Sequence, residues 1–79
     1  MSDKVINLYE AKKTGSFQVE AIPNIQLLEN LGLRVGSPIK VQNRYALGGP
    51  VLLRIEDAYS VAVGKDIARQ IVVREVVNG

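Results

Sequence analysis

One stretch, Leu27-Leu28-Glu29-Asn30-Leu31-Gly32-Leu33-Arg34-Val35-Gly36, constrains this chain more than any other. Ile25, Leu28 and Leu31 recur three apart and so share one face of a short helix, placed at about 24–31. Asn24 precedes them, and its side-chain oxygen can accept a free backbone N–H as an N-cap. Gly32 stands where the chain leaves the helix with positive φ, a conformation that glycine adopts without a Cβ clash. Leu33 then falls where it can fold back onto Leu28, the contact that accompanies a Schellman stop. Gly36 opens a second turn before Ser37-Pro38.

Elsewhere the apolar period is two. Phe17, Val19 and Ala21 alternate with Gln18 and Glu20, Ile39 and Val41 with Lys40 and Gln42, and Val51, Leu53 and Ile55 with Leu52, Arg54 and Glu56. Tyr59, Val61 and Val63 continue the pattern, and a last strand is read at 71–76. Pro38 is acceptable as a first strand residue because no ladder N–H is needed there. Gly48-Gly49-Pro50 marks a hairpin connection, and Asp57-Ala58 a short turn. Residues 6–11 read as a single helical turn, with Asn7 as cap and Glu10 three residues on, ended by Lys12-Lys13-Thr14-Gly15. Residues 67–69 read as another such turn. The tail Val77-Asn78-Gly79 is expected to fray. Five short strands with turn signals at close spacing, plus one real helix, predict a small closed or nearly closed β-barrel, one domain over 1–79.

Composition narrows the chemistry. The 79 residues contain no cysteine and no histidine, so disulfides, thiolate nucleophiles and the common zinc sites are all excluded. Ten basic against eight acidic residues give a net charge of +2, too mild a balance to predict nucleic-acid binding. No apolar run approaches the ~20 residues of a membrane span, and Met1-Ser2-Asp3-Lys4 lacks the form of a signal peptide. A cytoplasmic protein is the expectation, with no membrane insertion of its own. Neither glycine-bearing loop has the frame that cradles phosphates. Glu56-Asp57 is the one adjacent acidic pair and reads as a solvated turn; its other reading, an oxygen-ligand cation site, would have too few carboxylates to bind tightly. No catalytic residue, cofactor-binding residue or metal ligand is assigned.

Three motifs resemble those of ferrous-iron transport protein A, the FeoA family. They are Leu28-x-x-Leu31-Gly32-Leu33-x-x-Gly36, the Gly48-Gly49-Pro50 hairpin, and Val63-Gly64-x-x-x-Ala68-x-x-Ile71-x-Val73. The resemblance runs from about Leu8 to Val73. It implies a mostly β, SH3-like five-stranded barrel and a non-enzymatic accessory protein of ferrous-iron uptake. The partner it implies is the membrane ferrous-iron transporter with its cytosolic G-protein domain. Two other readings stand beside it: a small barrel that binds nucleic acid, and a metal-responsive self-associating domain like those appended to metal-dependent repressors, which would form homo-oligomers.

The sharpest functional feature in the residues themselves is the loop Arg44, Tyr45, Ala46, Leu47, Gly48, Gly49 and Pro50, with Leu52 on the outer face of the following strand. Apolar residues occupy a hairpin tip where polar ones are expected. Either the loop folds back to cap the barrel, or it presents an apolar apex to a partner. Arg34 and Arg44 are the arginines formally able to act in trans on a partner's nucleotide, although a solvated loop role is the expectation for both. Leu28, Leu31 and Leu33 are expected in the core, and Tyr9, Phe17 and Tyr59 in the core or half-buried.

Overall fold

The computed structural model describes residues 5–11, 15–45 and 47–76. The expectations that fall on Met1–Lys4, Lys12-Lys13-Thr14, Ala46 and the tail from Val77 lie outside the described residues. The elements in chain order are β1 (Val5–Asn7), a 3₁₀ turn (Leu8–Glu10), β2 (Gly15–Ala21), α1 (Gln26–Asn30), β3 (Pro38–Arg44), β4 (Val51–Ile55), β5 (Tyr59–Val63), α2 (Lys65–Ala68) and β6 (Val72–Glu75). All strand pairs are antiparallel and form one sheet in the order β1-β6-β2-β3-β4-β5. The sheet curls into an SH3-like small barrel. Among the described residues its end strands, β1 and β5, are not paired to each other.

Alternation places the core. Phe17 and Val19 of β2, Ile39 and Val41 of β3, and Val51, Leu53 and Ile55 of β4 all point inward and are buried. Leu8, Leu28, Leu33, Ala68, Ile71 and Val73 fill the remaining volume from the turns, the helices and β6. Leu31 is only partly buried, on the rim of this cluster. Bulges interrupt β2 between Val19 and Ala21 and β3 between Val41 and Asn43. Such bulges sharpen the local bend, and so help a short sheet to curl.

Six strands form rather than the five expected. The sixth is β1: residues Val5–Asn7 pair with β6 instead of opening a helical turn. Three residues are too few to carry a period, and their extended state is imposed by the partner strand. The helical reading survives one residue later. Asn7 Oδ1 accepts the Glu10 N–H at 3.0 Å, capping the 3₁₀ turn as its sequence position requires.

The stop after α1 follows the glycine argument closely. Gly32 has φ +85°, its N–H donates to the Glu29 carbonyl at 3.0 Å, and the Leu33 N–H donates to the Leu28 carbonyl at 3.0 Å. These are the two bonds of a Schellman motif, with Leu33 and Leu28 both buried behind it. The N-terminal cap differs from expectation. The Ile25 N–H donates to the Pro23 carbonyl at 2.8 Å, a tight turn centred on Asn24. The helix therefore starts one residue late, with Ile25 in the cap position and no side-chain cap bond. Tyr59, expected in the core or half-buried, lies at the surface edge of β5. It is 43% exposed, yet its hydroxyl donates to the Leu31 carbonyl at 2.6 Å and so ties β5 to the end of α1.

These two contacts constrain Gly32 closely, since a Cβ there would overlap the Tyr59 hydroxyl. Gly36 has a similar φ of +95° but open space around it. Gly36→Ala is expected to cost only the left-handed backbone penalty of about 1–2 kcal/mol. Gly32→Ala is expected to cost about 1–3 kcal/mol more than that, because the Tyr59 tie must also give way. Urea unfolding of the two variants checks the order, and equal losses would show that Tyr59 does not press on Gly32.

Candidate functional site

β3 and β4 form a hairpin. Arg44 pairs with Val51, and the Tyr45 N–H donates to the Pro50 carbonyl at 3.1 Å, so the ladder runs almost to the tip. Leu47 and Gly48 then turn the chain with φ of +61° and +79°. Leu47 is fully exposed, at 104% of its reference area, and Tyr45 is 49% exposed. The Leu47 side chain therefore caps no part of the barrel. Of the two readings open for this loop, the exposed apex describes its geometry. Gly49 and Leu52 are half-buried and Pro50 is exposed, while Ala46 is outside the described residues.

Leu47 carries two costs at one position. A leucine in the left-handed region gives up about 1–2 kcal/mol against glycine, and its side chain recovers nothing by burial. Strain of this kind persists where the surrounding structure imposes it, and it gathers at functional positions.

Arg44 is not a free loop arginine. Its Nη1 donates to the Ala11 carbonyl at 3.0 Å, and its guanidinium lies 5.2 Å from the centroid of the Tyr9 ring. Lys65 Nζ lies 5.8 Å from the same centroid and the Arg69 guanidinium 5.6 Å. Three cations from β3, α2 and the residue after α2 therefore surround one aromatic ring at the base of the hairpin. A Cβ on Gly48 would stand 3.8 Å from Lys65 Nζ, so the apex backbone runs beside this cluster. Tyr9, expected in the core or half-buried, is partly buried, and Lys65 and Arg69 carried no expected role. The available signal was their spacing of four on a helical turn, confirmed by the Arg69 N–H to Lys65 carbonyl bond at 3.0 Å. Arg34, the other arginine named from sequence, is exposed on the turn that Ser37 Oγ closes by accepting the Arg34 N–H at 3.1 Å.

Glu56 and Asp57 lie at the opposite end of β4, exposed and with φ of +52° and +57°. The Ala58 N–H donates to the Ile55 carbonyl at 2.9 Å, which closes the turn around them. Asp57 is paired with Lys40 at 3.3 Å on an open surface. Among the described residues no three acidic side chains converge. A shallow groove of about 390 Å³ lies at this same end, between Phe17, Pro38, Ile39 and Arg54.

The FeoA domain family matches residues 6–75 of this chain. No curated protein sequence matches it. Among solved structures, the chain is similar to an iron uptake regulatory protein (FeoA), with 28% identity and a TM-score of 0.83 over 92% of this chain and 99% of that one. A FeoA-like protein from Clostridium acetobutylicum matches with 24% identity and a TM-score of 0.80, over 100% and 94% of the two chains. A manganese-dependent transcriptional repressor shares the fold at 18% identity and a TM-score of 0.83, but this chain spans only 44% of its length.

Replacing Leu47 by glycine removes the backbone penalty and no buried contact. Leu47→Gly is therefore expected to raise stability by about 1 kcal/mol in urea unfolding, after the larger chain entropy of glycine is offset. A loss of stability would show that Leu47 packs against the barrel.

Proposed function

The chain belongs to the FeoA domain family, and we propose on that premise that it is a non-enzymatic accessory protein of ferrous-iron transport that acts by protein contact. Its partner in this reading is the membrane ferrous-iron transporter, met on the cytoplasmic side at the G-protein domain. The contact is made by the β3–β4 hairpin, with Leu47 and Tyr45 as the apolar apex and Leu52 on its flank. The observation that carries the reading is the fully exposed leucine held at positive φ. Neither local conformation nor burial accounts for that residue, whereas desolvation against a partner does. The chain's own inventory supports action by contact. It has no histidine or cysteine, and no helix among the described residues is long and apolar enough to cross a membrane.

The test is a titration of the isotope-labelled chain with the transporter's soluble G-protein domain, with and without nucleotide. Shifts are expected at 44–52. Leu47→Glu is expected to weaken association by at least about tenfold, since it places a charge in a desolvated contact, while unfolding stays cooperative. Unchanged affinity in Leu47→Glu would remove the apex from the interface. Self-association through the same apex would appear instead as concentration-dependent sedimentation that Leu47→Glu abolishes.

A further inference from the structure

We propose that the Arg44, Lys65 and Arg69 cluster around Tyr9 is a phosphate-binding site, for a ligand group that carries at least two negative charges. This goes beyond the transporter reading and does not rest on it. All three cations stand within 6 Å of one ring centroid, close enough to repel one another at low ionic strength. Lys65 and Arg69 add a second repulsion, because like charges four apart on a helical turn oppose that turn. Among the described residues none of the three is paired with a carboxylate. Glu10 and Asp66, their acidic neighbours in sequence, make no bond to them.

The Tyr9 ring is what gathers them. Its negative face attracts each cation, and its partly buried position in the 3₁₀ turn fixes where they meet. The bond from Arg44 to the Ala11 carbonyl leaves one side of that guanidinium oriented by the backbone. An arrangement of this kind is ordered before any anion arrives, and the anion relieves the repulsion when it binds. Two guanidinium forks and an ammonium match the several oxygens of a phosphate better than a single carboxylate, which has two oxygens and one charge. The groove at the other end of β4 offers no comparable set, since its Lys40 is already paired with Asp57.

A soluble polyphosphate and a lipid headgroup present the same chemistry, and two probes separate them. The full labelled chain is titrated with pyrophosphate at low salt. In parallel it is sedimented with vesicles of phosphatidylcholine alone or mixed with phosphatidylglycerol. Expected are shifts at Arg44, Lys65, Arg69 and the Tyr9 ring with pyrophosphate, retention on the anionic vesicles only, or both. In each case Arg69→Gln or Lys65→Gln is expected to weaken binding about tenfold, the scale of one charge-assisted hydrogen bond. Lys40→Gln removes a cation elsewhere and is expected to leave binding unchanged. Tyr9→Phe keeps the ring and is expected to keep binding, whereas Tyr9→Leu, equally apolar, is expected to lose it. Pyrophosphate binding without vesicle binding assigns a soluble ligand, and the reverse assigns a headgroup. Failure of both probes at millimolar phosphate overturns the site. So does binding that Arg69→Gln and Lys65→Gln leave unchanged.

Discussion

The arrangement of this barrel depends on β6 lying between β1 and β2. Val73 stands opposite Ile6 on one side and Val19 on the other, and is itself buried. Arg74 is ion-paired with Glu20 of β2, its Nη2 donating to Oε1 at 3.1 Å and its Nε lying 3.1 Å from Oε2. Just before β6, the Ile71 carbonyl accepts the Leu8 N–H at 2.7 Å. The chain's two ends are thus joined through its last strand, and β1 and the 3₁₀ turn gain their place only when that strand is in position. Pairings of such long sequence separation place the fold among the slower small domains, because loop entropy is lost before the contacts that offset it can form.

The same insertion assembles the hairpin base. It brings the 3₁₀ turn that carries Tyr9 against α2, which carries Lys65, and both beside the end of β3, which carries Arg44. The apex itself needs no such help. Its position follows from the β3–β4 ladder, which pairs Arg44 with Val51 and continues to Tyr45 and Pro50. An apolar finger on a paired ladder and a charged cluster held by three separate segments therefore share one end of the molecule. The finger is a local device mounted on a rigid scaffold, and the cluster is a product of the scaffold's closure.

What could be read from the residues divides along this line. The Gly32 stop, the Gly36 turn and the Asn7 cap were legible because each is decided within a few residues by φ or by one side-chain oxygen. The inward faces of β2, β3 and β4 were legible because burial on one side imprints a period of two. β1 was not, since three residues carry no period and β6 recruits them across most of the chain. Asn24 has the right chemistry for a cap, but the tight turn after Pro23 takes it out of the cap position. Tyr59 continues the alternation of β5 yet stays half outside, because its hydroxyl is held at the Leu31 carbonyl on the surface.

For the site, the residues showed that apolar side chains occupy a hairpin tip, and they left open whether these cap the barrel or project from it. Side-chain exposure decided against capping by Leu47, while the ladder holds Tyr45 and Pro50 together beneath it. The sequence by itself determined the local conformations, the core faces and the absence of histidine and thiolate chemistry. Each of these depends on residue type and short spacing alone. Only the tertiary structure decided the sixth strand and the meeting of Tyr9 with Arg44, Lys65 and Arg69. Those contacts join positions far apart in the chain, and no local preference encodes which distant strand will complete the sheet.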